Sequence, residues 1–199
     1  MSGKNFISPR RALPAGLLWS LAAGWALSAR PSRAQTPVGG SKALVAYFSR
    51  TGNTRVIAGQ IRRARNADLF EIRPATPYPD DYEETVSQAR RERDEGYEPA
   101  LAATVPGIAS YDTVFLGLPI WGGTAPPILR SFLSAHDLAG KTLVPFITHG
   151  GYGRGQSIQV IRSHAPRSRL LQGFIMEADQ ERRTLETVTR WLRDVPPNR

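Results

Sequence analysis

The segment that most constrains the fold is an apolar run followed by a polar loop, over residues 43–54. Residues 43–48 (Ala-Leu-Val-Ala-Tyr-Phe) have the length and the β-branched and aromatic content of a strand buried on both faces. The next six residues, Ser-Arg-Thr-Gly-Asn-Thr, combine hydroxyls, an amide and a glycine. Ile57 and Ile61 then share one face at helical spacing. The segment therefore predicts a strand, a tight loop and a helix.

The loop at residues 49–54 is suited to bind a phosphate. The first amides of a helix have no partner within the helix, and the helix dipole adds positive potential at the same place. Ser49, Thr51 and Thr54 add hydroxyls, and Gly52 lets the backbone approach a ligand closely. The loop matches neither the Walker A pattern nor the dinucleotide pattern Gly-x-Gly-x-x-Gly. The alternative is an ordinary strand-to-helix turn with a serine or threonine cap.

The rest of the chain repeats this alternation of strand and helix. Further strands are predicted at residues 68–73, 113–118, 141–148 and 171–176, and helices at residues 81–94, from 127, at 157–163 and at 179–193. Five strands that alternate with helices indicate an α/β fold with a doubly wound parallel sheet. Pro145 removes a backbone donor, so we expect a local irregularity in the fourth strand.

Two more loops follow predicted strands and carry glycines with an aromatic residue or a histidine. Ligands of open α/β sheets bind at the carboxyl ends of the strands, where these loops lie. Trp121 either contacts a ligand ring or packs on its own domain, and His149 either binds a ligand or holds its loop. The second loop could also be a plain hairpin-like connection. The candidate residues are Pro119, Ile120, Trp121, Gly122 and Gly123 after the third strand, and Thr148, His149, Gly150, Gly151, Tyr152 and Gly153 after the fourth.

The pattern Ser49-x-Thr51-Gly52-Asn53-Thr54 after an apolar strand resembles the phosphate loop of flavodoxin-like FMN-binding proteins. The Pro-x-Trp segment ending at Trp121 and the Thr-His-Gly-Gly loop beginning at Thr148 strengthen the resemblance. It covers roughly residues 42–192, within a predicted domain at residues 42–195, and it implies a five-stranded flavodoxin-like sheet in the order 2-1-3-4-5. Because no extra segment interrupts the fifth strand, the chain resembles the short-chain form.

The resemblance also implies FMN as the cofactor and gives each loop a role. Residues 49–54, including Arg50 and Asn53, would hold the phosphate. Trp121 would contact the isoalloxazine ring, and Gly122 and Gly123 would let backbone amides approach it. The loop after the fourth strand would meet the pyrimidine edge, with Tyr152 over the other face of the ring.

Composition narrows the classes of function. Cysteine is absent, which excludes disulfides, thiolate metal sites and cysteine nucleophiles, and we predict no metal site. Of the formal net charge of +9, five positive charges lie in residues 1–34, which contain no acidic residue, so the rest of the chain carries +4. The body has no dense basic run with interleaved aromatics, so we predict no nucleic-acid binding.

Residues 1–34 have the pattern of an export signal. A basic start precedes an apolar segment at residues 12–29, and Ala34 ends a small-residue cleavage pattern before Gln35. The adjacent Arg10 and Arg11 resemble a twin-arginine signal, a route that carries folded proteins and therefore suits a protein that acquires FMN before export. Residues 35–41 are a linker by composition. We predict an exported, periplasmic protein with a cleaved leader; the alternative is an uncleaved leader that anchors it to the membrane.

The sequence therefore predicts an exported FMN-binding flavoprotein that performs electron transfer or reduces a small acceptor such as a quinone. It names neither the electron donor nor the acceptor, and no catalytic residue stands out. One alternative is a flavodoxin-type electron carrier that docks to redox proteins, and another is a binding module without FMN. Carrier flavodoxins are acidic around the flavin, which steers them to basic partners. Arg50 and Arg154 in the predicted flavin loops favour the reductase.

Three further expectations concern charged and titratable residues away from these loops. The run Arg-Arg-Glu-Arg-Asp at residues 90–94 is interpreted as a solvated helix face rather than a binding patch. His136 and His164 have no residues nearby that would form a metal or catalytic site with them. We expect both histidines at the surface or at helix ends.

Overall fold

A parallel sheet forms the centre of the protein in the computed structural model, which describes residues 42–177 and 181–196. Its strands run in the order β2-β1-β3-β4-β5, with β6 also paired to β4, and every pairing is parallel. This order confirms the predicted flavodoxin-like arrangement. The strands are β1 (Ala43–Tyr47), β2 (Asp68–Glu71), β3 (Thr113–Pro119), β4 (Thr142–His149), β5 (Arg169–Leu170) and β6 (Phe174–Glu177).

Helices connect the strands at the places that the sequence predicted. Asp81 caps α2 by accepting a hydrogen bond from the amide of Glu84 (2.9 Å), and Pro127 opens α3, where a missing amide proton costs nothing. Within the described ranges, none of the helices has both the length and the apolar character needed to cross a membrane. The helices are α1 (Asn53–Arg65), α2 (Tyr82–Asp94), α3 (Pro127–Ala135), α4 (Ser157–His164) and α5 (Glu181–Asp194), with a 3-10 turn at Ile108–Ser110.

The two faces of β1 contribute to separate hydrophobic clusters. Leu44 and Ala46 belong to the cluster that includes residues of α3 and α4, whereas Val45 and Tyr47 belong to the one that includes Ile57 of α1. All five residues are almost fully buried. A strand covered on both faces has no polar face, which explains the continuous apolar run in the sequence. Burying each large aliphatic side chain stabilises the fold by about 1.5–3 kcal/mol.

The fifth strand position is split in two, so the predicted continuous strand over residues 171–176 is wrong in its bounds. Pro145 lies opposite the gap between β5 and β6 and has no amide proton to donate across it. Gly173 lies so close to this proline that a Cβ there would be 2.3 Å from the Pro145 carbonyl oxygen. The irregularity expected in the fourth strand therefore lies beside Pro145, in the neighbouring strand, while β4 itself is continuous. Both pieces lie beside β4, and only three residues separate them, so the strand order is unchanged.

The predicted leader (residues 1–34) and linker (residues 35–41) lie outside the described residues. Their assignment stays a prediction from the sequence.

Candidate functional site

A cleft of about 350 Å³ lies at the carboxyl end of the sheet, where β1, β3 and β4 end. The three loops that the sequence singled out form part of its walls, and α2 forms another part. Five predicted residues lie in these loops without lining the cleft: Gly52, Gly123, Gly151, Tyr152 and Gly153. The predicted residues that line it are Ser49, Arg50, Thr51, Asn53, Thr54, Pro119, Ile120, Trp121, Gly122, Thr148, His149 and Gly150.

Gly52 shapes the loop between β1 and α1. Its φ of 96° is left-handed, a conformation that costs other residues about 1–2 kcal/mol. Its amide donates to Ser49 Oγ (3.1 Å), and its carbonyl accepts from the amide of Val56 (3.1 Å). Gly52 is itself the N-cap, and no side chain of the described residues caps the first turn of α1. An ordinary serine or threonine cap is therefore not what forms here, and the first helical amides are available to an anion.

A buried hydrogen bond joins the first loop to the end of β4. The hydroxyls of Thr54 and Thr148 lie 2.8 Å apart, and the two side chains are 1% and 2% exposed. Both residues line the cleft. The bond joins the start of α1 to the end of β4 and so links two of the predicted ligand-binding loops.

Trp121 packs on its own domain, as one of the two interpretations had it, and it also lines the cleft; its contact with a ligand ring stays a prediction. Its ring meets Phe48 edge-on at 5.2 Å and Tyr78 at 4.9 Å. The Tyr78 hydroxyl donates to Glu92 Oε2 (2.8 Å). Burial and this hydrogen bond raise the pKa of Tyr78 well above its usual range. Tyr78 therefore stays protonated, and Trp121 is held in place by neighbours that are themselves fixed.

The loop after β4 is organised by His149 and by a close contact with the loop after β3. The amide of Gly151 donates to His149 Nδ1 (3.0 Å), so this histidine holds its loop and also lines the cleft. The amide of Gln156 donates to the Gly123 carbonyl (2.9 Å). Gly155 passes so near that a Cβ there would be 1.8 Å from the same oxygen. Tyr152 projects from this loop and is 87% exposed.

The sequence missed the wall that α2 provides. Arg90 and Arg93 line the cleft, and Arg93 donates to the Gly122 carbonyl (3.3 Å). Glu92 is buried at 7% exposure and accepts from Tyr78 and from Gln88 Nε2 (2.8 Å). The interpretation of residues 90–94 as a solvated face is therefore wrong for Glu92 and for the half-buried Arg93, whereas Arg90, Arg91 and Asp94 are exposed as predicted. The sequence signal for this wall was a set of residues at helical spacing, which all lie on one face of α2: Tyr82, Thr85, Val86, Ala89, Arg90 and Arg93.

His136 lies at the end of α3, which agrees with the expectation of a surface or helix-end position. Its side chain is buried. Its Nε2 accepts from the amide of Val105 (2.9 Å), and its Nδ1 bonds the Phe132 carbonyl (2.7 Å). The ring thereby pins the loop before β3 to α3. His164 ends α4, where its Nδ1 lies 2.8 Å from the Val160 carbonyl oxygen, so its predicted place at a helix end is confirmed.

The cleft is cationic and contains an unsatisfied polar group. Its lining includes Arg50, Arg90 and Arg93 and no aspartate or glutamate. The Thr124 hydroxyl is buried in this lining and has no hydrogen-bond partner among the described residues. Because an unsatisfied buried hydroxyl costs about 1–3 kcal/mol, it fits a site that holds a polar ligand. The described residues contain no cluster of three or more side chains able to hold a metal ion.

Comparison with known proteins agrees with this geometry. The family model described as Flavodoxin matches residues 42–195. A crystal structure from Bacteroides eggerthii, described as a flavoprotein, is 36% identical, covers 78% of this chain and 98% of its own, and has a TM-score of 0.68. A second, from Bacteroides uniformis, is 32% identical with coverages of 77% and 99% and a TM-score of 0.69.

A more distant likeness shows the same fold. The crystal structure of a Lactobacillus acidophilus flavoprotein in complex with FMN is 19% identical, covers 74% of this chain and 99% of its own, and has a TM-score of 0.60. No curated protein matches the sequence significantly. The family match and the agreement in strand order confirm the predicted fold, and the family supports the predicted cofactor, FMN. On the match over residues 42–195 and the two Bacteroides structures, the chain belongs to the flavodoxin family.

Proposed function

We propose that this protein is an exported, FMN-dependent reductase of small acceptors such as quinones. The observation that carries the proposal is the cleft itself. It is walled by the three predicted ligand-binding loops and by α2, and its lining carries three arginines and no carboxylate. A walled, cationic cleft suits a small electron-poor or anionic acceptor. An electron carrier instead needs a docking surface complementary to a protein partner.

Different residues of the cleft would hold different parts of FMN. The uncapped start of α1, with Thr51 and Ser49, would hold the phosphate, and Trp121 would wall the ring. The Thr124 hydroxyl and the loop at Gly150 would meet polar edges of the cofactor. Bound FMN, once reduced, would supply two electrons and one proton, and a second proton from solvent would complete the conversion of a quinone to its hydroquinone. The walls of the cleft would orient the two ring systems.

The first experiment asks whether the full chain binds FMN and reduces quinones directly. The purified protein is loaded with FMN, reduced anaerobically with stoichiometric dithionite, and mixed with a naphthoquinone in a stopped-flow instrument. We expect bound flavin bands and rapid reoxidation that saturates with quinone concentration. Thr51→Ala should weaken FMN binding, whereas Thr104→Ala, at an exposed position away from the cleft, should not.

Two results would change the assignment. Flavin that binds but reacts with quinones no faster than free FMN would favour the electron carrier. A folded protein that retains no FMN would remove the redox proposal altogether.

Export is the second part of the proposal, and it rests on the sequence of residues 1–34. The full chain and an Arg10→Lys, Arg11→Lys variant are expressed in a bacterium that has a twin-arginine pathway, and cell fractions are compared. We expect the unaltered chain in the periplasm and the variant in the cytoplasm. An unshortened chain in the membrane fraction would support the anchor instead, and periplasmic export of the variant would contradict the twin-arginine route.

A further inference from the structure

We propose that Arg90 of α2 binds an oxyanion group of the acceptor, so that the preferred substrates are planar aromatic acceptors carrying a carboxylate or a sulfonate. This inference rests on the proposed function and specifies its substrate class. It depends on three features of the site: the position of Arg90 along α2, its lack of a partner, and the rigidity of the helix that carries it.

Arg90 lies at the opposite end of α2 from the predicted phosphate loop. Tyr82, at the start of α2, lies beside Arg50 of that loop, with the guanidinium carbon 5.8 Å from the ring centroid. At a rise of about 1.5 Å per residue, Arg90 is about 12 Å further along the helix axis. Arg93, one turn beyond, contacts Gly122 after β3. FMN carries one phosphate, which the loop at residues 49–54 serves, so Arg90 is available to a different anion.

The two cleft-lining arginines of α2 differ in their partners. Arg93 forms an ion pair with Asp94 (2.8 Å) and donates to the Gly122 carbonyl, so its charge and its hydrogen bonds are largely used within the protein. Arg90 forms no hydrogen bond or ion pair in the part of the chain that the structure describes. The cleft lining also contains no carboxylate that could neutralise it. A guanidinium presents a planar set of donors that matches the two oxygens of a carboxylate, or two of a sulfonate.

The helix that carries Arg90 is fixed at both ends. At its start, Asp81 accepts from the amide of Glu84 (2.9 Å), and Thr85 Oγ1 donates to the Pro79 carbonyl (2.6 Å). At its end, Glu92 accepts from Tyr78 and Arg93 reaches the loop after β3. These contacts hold the backbone of Arg90 over the cleft without using its side chain. The backbone at Arg90 is therefore preorganised, while its exposed side chain stays free to reach a ligand, and the fixed backbone lowers part of the entropic cost of binding a substrate.

The test compares charged and neutral acceptors on the FMN-loaded full chain. Reduced protein is mixed with 1,4-naphthoquinone or with 1,4-naphthoquinone-2-sulfonate, for the unaltered chain, Arg90→Gln and the control Arg91→Gln. Arg91 is the neighbouring exposed arginine and does not line the cleft. We expect Arg90→Gln to raise the apparent dissociation constant of the sulfonate about 10-fold or more, as for loss of a hydrogen bond to a charged group. The limiting rate and the reaction of the neutral quinone should change less than about 3-fold.

A binding measurement gives a readout that does not depend on turnover. The non-reducible probe 2-naphthoate is titrated into oxidised holoprotein and followed by the change in the flavin spectrum, with the neutral 2-naphthamide as its matched control. Binding of naphthoate, but not of the amide, should weaken in Arg90→Gln and with added salt.

Several outcomes would overturn the inference. If Arg90→Gln raised the apparent dissociation constants of the charged and neutral quinones equally and also shifted the flavin midpoint potential, Arg90 would act on the flavin rather than on the acceptor. Unchanged binding of both naphthalene probes in Arg90→Gln would exclude an anion site at Arg90. Failure of the unaltered chain to hold FMN would appear as missing flavin bands before any acceptor is added, and it would overturn the proposed function together with this inference.

Discussion

The hydrogen bond between Thr54 and Thr148 gives a prediction whose size follows from the structure. The two hydroxyls are 2.8 Å apart and almost completely buried. Replacing either threonine by the isosteric valine removes the bond and leaves the other hydroxyl without a partner, which costs about 1–3 kcal/mol. Replacing both removes the two polar groups together and should be nearly neutral. We therefore expect each single variant to be destabilised and the double variant to recover most of the loss.

The assay is urea unfolding of the FMN-free full chain for the unaltered protein, both single variants and the double variant. The free energies of unfolding, compared at constant m-value, give the coupling between the two residues, which should be about 1–3 kcal/mol. Thr142→Val, at the other end of β4, is the control, and its effect should add to that of Thr54→Val. If the losses of unfolding free energy for the Thr54 and Thr148 variants were additive, the reasoning would be refuted, because the two hydroxyls would not depend on each other.

Two more perturbations test the loops and the ion pairs. Gly155→Ala should cost about 2–5 kcal/mol of unfolding free energy and weaken FMN binding, because the added Cβ would overlap the Gly123 carbonyl at a left-handed φ of 48°. The control Gly153→Ala has open space and should cost only about 1–2 kcal/mol; equal costs would contradict the close contact. For Glu71, burial raises the pKa, but hydrogen bonds from Arg73 and from a second arginine outweigh it and hold the pKa below its ordinary 4.5. The unfolded state therefore binds more protons than the folded state, so the stabilisation is present above about pH 4.5 and is lost as the pH falls below it. Glu71→Gln should reduce the difference in urea midpoint between pH 6 and pH 3.5. An unchanged difference would show that this carboxylate does not contribute.

The sheet and the three loops were predictable because each has a strong local signal. A strand that is buried on both faces has an uninterrupted apolar sequence, and β1 and β3 both have such a sequence. The loops combine glycine with hydroxyls or an aromatic residue directly after such runs, and parallel strands bring their carboxyl ends to one edge. Even the irregularity at Pro145 follows from a single missing amide proton.

The role of α2 was not predictable in the same way. Its charged residues indicate solvent exposure, and only the fold shows that Arg90 and Arg93 face the cleft while Glu92 is buried. The burial of Glu92 depends on Tyr78, which is 14 residues away in the sequence, and the burial of His136 depends on Val105, 31 residues away. Partners this distant leave no periodic pattern in the chain. The predicted bounds of the fifth strand were wrong for a similar reason, because the break is caused by Pro145, which lies on the neighbouring strand β4.

The break opposite Pro145 also bears on how the protein avoids association through its sheet edges. An edge strand presents unpaired backbone groups that can pair with another chain. Here one edge consists of two pieces, of two and four residues, separated by a gap that offers no continuous ladder. The other edge, β2, is only four residues long and begins and ends with acidic side chains that are held in ion pairs with Lys42, Arg55 and Arg73. Neither edge therefore presents a long, continuous strand to another chain: Pro145 divides one edge, and the other is short and charged.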